Sequence, residues 1–273
     1  MENPSDMKAA VAGVFDRSAD TYEQLGPEYF GPMGRALAAR AAPRPGERVL
    51  DLGCGRGHCL VPLAEAVGPQ GRVVGIDLAP GMVAATADDA RRRGLSQVDV
   101  RVGDAAEPAV EPGSFDLVTA GFVIFFMPDP AAAAGAWLRA LRPGGRLAIS
   151  TFNGQDPNYE HLMKVVGAFL PQQQDRPRFE LFRTAESVTA VLDEVGFQDV
   201  EHEHVTFETR FTGPDQWWEW IGSHGGRATL ERLPEDRVED ARAAAYEAME
   251  AARTPDGALA IYTEVRYTTA RRP

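Results

Sequence analysis

The sequence predicts an α/β domain in which a parallel sheet carries helices on both faces. From Arg48 to Thr151, short and mostly apolar β-rich runs alternate with helical runs. Strands buried on both faces of a parallel sheet read in this way, as near-continuous apolar segments. The first of them ends in Asp51-Leu52 and is followed at once by Gly53, Gly55 and Gly57, residues that let a strand-to-helix turn approach a ligand closely. With 273 residues, 44% of them hydrophobic, the chain can fill one large core.

Two helices come before the sheet: Ser5 to Ala19, amphipathic with Val11, Val14 and Phe15 on one side, and Gly31 to Ala42. The connector between them, "TYEQLGPEYF", is rich in aromatics. The alternation then runs strand Arg48–Leu52, helix His58–Val67, strand Arg72–Asp77, helix Pro80–Arg93 and strand Asp99–Gly103. It continues with strand Phe115–Thr119, helix Asp129–Leu141 and strand Arg146–Thr151. After Phe152 an insertion carries a short helix near Tyr159–Phe169 and a proline-marked loop, and helix Ala185–Val195 and strand Asp199–Glu208 resume the pattern. A second insertion, from Thr212 to about Asp256, reads as two helices, Asp215–Arg232 and Pro234–Arg253, the latter with proline at its first turn. A strand over Leu259–Thr268 follows.

A formal charge of −12 repels polyphosphate backbones and anionic bilayers, so neither a nucleic acid nor a membrane is expected as a partner. No apolar run reaches a membrane-spanning length, and the first residues lack a basic region followed by an apolar one; the expected location is the cytoplasm. Two cysteines cannot build a disulfide framework. Cys54, His58 and Cys59 lie close together, but three ligands without a fourth make a poor zinc site and no metal is expected there.

The spacing G-x-G-x-G departs from the G-x-G-x-x-G dinucleotide fingerprint, and no phosphate-loop motif is present. Asp77 falls at the end of the second strand, 26 residues after Asp51, where a carboxylate accepts hydrogen bonds from both ribose hydroxyls. At the end of the third strand, "RVGDAAEP" places Asp104 to accept from an adenine amino group and Ala105 to leave room for the ring.

Taken in order, "VLDLGCGRG", "VVGIDLAPGM", "RVGDAAEP", "SFDLVTAGF" and "LRPGGRL" resemble the class I S-adenosylmethionine-dependent methyltransferases, in the group of the ubiquinone and menaquinone enzymes. The resemblance is close over Val49–Thr151. It implies a Rossmann-like sheet of seven strands with the last antiparallel, and S-adenosylmethionine as cofactor. It also implies that Asp51, Gly53, Gly55, Gly57, Gly121 and Phe122 lie along the methionine portion, Asp77 and Leu78 at the ribose, and Asp104 and Ala105 at the adenine. Tyr22 is expected to close over the cofactor. The implied organisation is an N-terminal helical lid over residues 1–45 and a methyltransferase domain over 46–273, with substrate-lid insertions at 153–184 and 212–256.

For the acceptor, the sequence lacks the Asn/Asp-Pro-Pro-Tyr/Phe mark of nucleic-acid amino methyltransferases, and a small molecule is expected, handled by a monomer or homodimer. Trp217, Trp220, His224 and Arg227 follow helical spacing on one face; they either form an aromatic floor with a proton-handling end or pack the helix onto the sheet. Tyr29 and Arg183 are further substrate-binding candidates. Glu180, between Phe179, Leu181 and Phe182, is a candidate base if burial raises its pKa; Glu160 is a lesser one. Arg178 and Arg183 either bind an anionic tail or solvate the loop. His202 and His204 share a strand face and read as surface residues.

The leading expectation is methyl transfer to a small lipophilic or aromatic specialised metabolite, in detail C-methylation of a prenyl diphosphate. Tryptophan faces would then stabilise a carbocation, Glu180 would remove the proton, and Mg²⁺ would assist only if the acceptor is a diphosphate. The alternatives are an O-, N- or indole C-methyltransferase with His224 as base, and a non-methylating cofactor-binding scaffold or cyclase.

Overall fold

The computed structural model describes residues 4–171 and 182–273. Its sheet has the strand order β3-β2-β1-β4-β5-β7-β6. The strands are β1 (Arg48–Leu52), β2 (Arg72–Asp77), β3 (Val98–Val102), β4 (Phe115–Gly121), β5 (Leu141–Gln155), β6 (Gln198–Phe211) and β7 (Leu259–Arg271). Neighbours among β1 to β5 pair in parallel, and β7 inserts antiparallel between β5 and β6. The helices are α1 (Pro4–Ser18), α2 (Phe30–Ala41), α3 (Leu60–Val67), α4 (Pro80–Arg92), α5 (Pro130–Ala140), α6 (Pro157–Gly167), α7 (Ala185–Glu194), α8 (Pro214–Ile221), α9 (Arg227–Leu230) and α10 (Val238–Met249).

Strand periodicity explains why both faces are covered. Val49, Val73, Leu117 and Ala148 point into one core with Met33, Leu37, Leu60 and Leu63. Their neighbours Leu50, Val74, Val118 and Leu147 point into the other, with Trp137 and Leu192. Each such valine, leucine or methionine side chain, fully buried, contributes about 1.5–3 kcal/mol. The sheet reverses its direction of strand addition between β1 and β4, and in open α/β sheets ligands bind outside the strand ends at such a point.

Several element bounds differ from the sequence expectation. Helix α3 begins at Leu60 rather than His58, because Gly57 (φ +78°) turns the chain before the helix starts. The long helix expected over Asp215–Arg232 is two, α8 and α9. Gly222, Gly225 and Gly226 separate them, and the backbone packs so closely that a Cβ on Gly226 would lie 2.5 Å from the Ile221 side chain. The helix expected over Pro234–Arg253 is α10 flanked by 3-10 turns at Glu235–Arg237 and Glu250–Ala252. Strands β5, β6 and β7 all run longer than expected, because antiparallel pairing of β7 with both neighbours holds their polar residues in register. His202 is not a free surface residue: its ring nitrogens bond Thr189 (2.8 Å) and Thr268 (2.9 Å), while His204 stays exposed.

Trp137 links this packing to the ligand edge of the sheet. Its indole N–H donates to the carbonyl of Ala105, 2.7 Å away, in a buried setting. Trp137→Phe leaves that carbonyl without its donor, and equilibrium urea unfolding is expected to report a loss of about 1–3 kcal/mol.

Candidate functional site

The glycine loop follows β1. Gly53, Gly55 and Gly57 all have positive φ (63°, 47° and 78°). A Cβ on Gly53 would come within 2.5 Å of Val123, whereas one on Gly55 would meet nothing within 4 Å. Gly53 is therefore fixed by close packing, and Gly55 borders an open cradle. Asp77, at the end of β2, accepts from Gly55 N–H (2.8 Å) and Ala79 N–H (2.9 Å), and burial raises its pKa against these bonds. Leu78 beside it is half-buried.

Asp51 lies fully buried on β1, opposite Thr119 of β4 in the ladder. One carboxylate oxygen accepts from the Thr119 hydroxyl at 2.6 Å; the other, Oδ2, has no partner among the described residues. Burial pushes its pKa up to about 7, against the Thr119 bond that lowers it. A buried carboxylate oxygen without a donor is costly, so Asp51 and the open cradle together fit a ligand that brings positive charge.

At the end of β3, Asp104 is half-buried and accepts from Ala106 N–H (2.8 Å) and from Lys8 Nζ (2.5 Å) of α1. Gly121 and Phe122 close β4, and Phe122 holds φ +55°, a conformation that is strained for a side chain of this size. The Phe122 ring packs on Phe152 (4.7 Å between centroids) and on Phe30 (5.4 Å).

The aromatic connector forms the other wall. Tyr22 is buried against Ala79 and Met82 and stacks on Phe30 (5.9 Å) and His58 (6.1 Å). Glu23, with φ +56°, turns its buried carboxylate back onto the start of α2, accepting from the N–H groups of Tyr29 (2.8 Å), Phe30 and Gly31 (3.1 Å). It also lies 3.3 Å from His58 Nε2. The Tyr29 hydroxyl bonds Thr263 (3.0 Å), and its ring stacks on His224 (6.0 Å) and meets Trp220 edge-on (5.1 Å). His224 packs on Trp220 (4.3 Å) and Phe30 (5.8 Å). His224 Nε2, Trp217 Nε1 and Trp220 Nε1 are buried without hydrogen-bond partners among the described residues.

The structure therefore brings Tyr29, Trp220 and His224 together, and puts Trp217 in the same core. It does not bring Arg227 with them: the break after Ile221 starts a new helix, and Arg227 Nε turns to Glu231 (2.7 Å), which also pairs with Arg17. Arg183 is exposed, 3.6 Å from the half-exposed Glu160, far from the burial a base at Glu160 would need. Glu180 and Arg178 lie outside the described residues. Cys54 and Cys59 are free and buried, and among the described residues no group of three His, Cys, Asp or Glu is arranged to hold a metal. Glu23, Phe30, Thr119, Phe152 and Lys8 escaped the sequence reading. Local patterns carry no sign of them, because each acts on a residue distant in sequence or across the sheet.

A family model described as "Methyltransferase domain" matches residues 43–188. Nocamycin O-methyltransferase of Saccharothrix syringae is 40% identical over 239 residues, covering 82% of this chain and 85% of that protein. Among solved structures, phosphoethanolamine N-methyltransferase 2 of Haemonchus contortus, in complex with S-adenosyl-L-methionine, superimposes with a TM-score of 0.59 at 20% identity, over 94% of this chain and 57% of that one. The [4+2]-cyclase SpnF does so with 0.57 at 25% identity, over 89% and 81%. The fold and the glycine-lined crevice define an α/β protein of the Rossmann-like, seven-stranded class. The chain belongs to the class I S-adenosylmethionine-dependent methyltransferases. No helix among the described residues is long and apolar enough to cross a membrane.

Burial pushes the pKa of His224 down to about 3 from its ordinary 6.5. The folded protein thus keeps the imidazole neutral where the unfolded chain takes up a proton. Stability from this source is complete above about pH 6.5 and is lost as the pH falls from there through about 3. Unfolding of wild type and His224→Phe at pH 7.5 and pH 5 is expected to show a relative loss in the wild type of up to about 2 kcal/mol at the lower pH.

Proposed function

We propose that this methyltransferase transfers its methyl group to an acidic oxygen, an enol or carboxyl, of a small and largely apolar specialised metabolite. The single observation that carries the reading is His224: a neutral imidazole, buried among Tyr29, Phe30 and Trp220, with Nε2 unpartnered among the described residues. Phe30 in turn touches Phe122 at the end of β4, so a continuous run of aromatic side chains reaches from His224 to that strand end. The name of the Saccharothrix syringae relative, an O-methyltransferase, supports oxygen as the acceptor atom.

S-adenosylmethionine supplies an electrophilic methyl group on a positively charged sulfur. In this reading Asp51 balances the charge of the methionine portion, with Gly53, Gly55, Gly57, Gly121 and Phe122 along it. Asp77 and Leu78 hold the ribose, Asp104 and Ala105 the adenine, and Tyr22 covers the cofactor. Methylating a neutral hydroxyl releases a proton, and in this reading His224 takes it. Its low pKa makes it a weak base, which suits an oxygen that is itself acidic and penalises an alcohol or an amine. In-line positioning by the aromatic walls supplies the rest, up to about 7–11 kcal/mol in favourable systems. Helices α1 and α2, α6, and α8 to α10, which belong to the segments 1–45, 153–184 and 212–256, act as covers of the site.

The narrower alternative, C-methylation of a prenyl diphosphate, depends on Glu180, which lies outside the described residues. Of its anion anchors, Arg183 lies beside Glu160, Arg227 pairs with Glu231 and His224 is kept neutral by burial, which favours the acidic oxygen.

The test is transfer of labelled methyl to a panel of enols, carboxylic acids, phenols, indoles and prenyl diphosphates. Label on an enol or carboxyl oxygen is expected, with kcat reduced about 10²-fold in His224→Gln; label on the carbon of a prenyl diphosphate overturns the reading. A second expectation concerns Asp51. With its pKa at about 7, the carboxyl is partly protonated at neutral pH, and binding a cation there drives the proton off. Affinity for S-adenosylmethionine should rise with pH through 7, and titration calorimetry in buffers of different ionisation enthalpy should show proton release that Asp51→Asn abolishes.

A further inference from the structure

We infer that Lys8 of α1 positions the Asp104 carboxylate for the adenine amino group and so contributes to base specificity; the inference rests on the assignment of Asp104 to the adenine made above. Lys8 Nζ lies 2.5 Å from Asp104 Oδ2, across 96 residues of sequence, with the two side chains 24% and 27% exposed. Oδ1 of the same carboxylate takes the Ala106 N–H at 2.8 Å. Both oxygens are thus fixed in direction, and each keeps a further lone pair for an incoming donor.

The helix that carries Lys8 is itself tied to the crevice. Asp16 accepts from Gly81 N–H at the start of α4 (2.6 Å), Phe15 packs edge-on against Phe126 (5.8 Å), and just past the helix the Ala19 carbonyl accepts from Arg56 of the glycine loop (2.6 Å). Lys8 therefore reaches Asp104 from a docked helix. On its other side the neighbouring Ala105 is held by Trp137, so the adenine loop is braced from α1 and α5 together.

The residue type matters. All but two of the 28 basic residues are arginine, yet this position carries a lysine. An arginine fork binds a carboxylate through both oxygens at once, whereas an ammonium is a point donor. Lysine orients Asp104 while leaving its outer edge open to the amino group of adenine. A 6-oxopurine would present an acceptor oxygen to that carboxylate and be repelled.

The experiment compares binding of S-adenosylhomocysteine with binding of S-inosylhomocysteine, which carries the 6-oxo base, in wild type, Lys8→Met, Lys8→Arg and Asp104→Asn. Lys8 also lines an open groove of about 490 Å³ with Ala106, Glu107 and Asp129, so methionine leaves no closed void, and unfolding curves check that each variant folds. Preference for the adenine form is expected to be strong in the wild type, to fall most in Asp104→Asn, and to fall by about 5-fold in Lys8→Met and Lys8→Arg, a loss on the scale of a half-exposed ion pair. If Asp104→Asn loses the preference and both Lys8 variants keep it, the role of Lys8 is overturned while that of Asp104 stands. If Asp104→Asn keeps the preference, the adenine assignment falls and the inference with it.

Discussion

The hydrogen bond from Thr119 to Asp51 joins β1 to β4 where the sheet reverses its direction of strand addition. Everything that makes the crevice depends on that junction. The glycine loop leaves β1 two residues beyond Asp51, and Phe122 leaves β4 three residues beyond Thr119, so the two walls rise from the strand pair that this bond ties together. It also decides the electrostatics. Thr119 satisfies one carboxylate oxygen and leaves the other buried without a donor among the described residues, which keeps a latent negative charge under the open cradle at Gly55. Such a group is expensive in an empty site and favourable beside a cation.

A second layer of the molecule packs against this crevice. Glu23 acts as a remote cap, gathering the first N–H groups of α2 and touching His58 beside the glycine loop. One carboxylate thereby fixes the aromatic connector, the start of α2 and the loop relative to one another. Tyr22, Tyr29 and Phe30 owe their positions to it. Tyr29 and Phe30 in turn pack with Trp220 around His224, whose depressed pKa follows from burial alone. The apolar surroundings that bury His224 also set its weak basicity.

Of core packing and pocket lining, the structure shows core packing at Trp220. It is buried, and it forms one side of the ring cluster around His224. The sequence left the two readings open because helical spacing shows which side chains share a face, and not what that face meets. The three-, four- and three-residue spacing of Trp217, Trp220, His224 and Arg227 promised a continuous stripe. The stripe stops where close packing at Gly226 ends the helix, and Arg227 turns to a carboxylate instead.

What the sequence determined by itself is the sheet and its cofactor crevice: strands and helices alternate with local periodicity, and Gly53, Gly55, Gly57, Asp77 and Asp104 fall at strand ends that can be counted along the chain. These features are short-range, since a glycine turn or a strand-terminal carboxylate is specified by its immediate neighbours. What only the tertiary structure decided is which distant residues meet there. Thr119 faces Asp51 through strand register, Glu23 caps a helix that begins several residues later, Lys8 reaches Asp104 from another layer, and His224 acquires its pKa from rings contributed by α2 and α8. Long-range contact and burial create those properties, and no local pattern in the sequence encodes either.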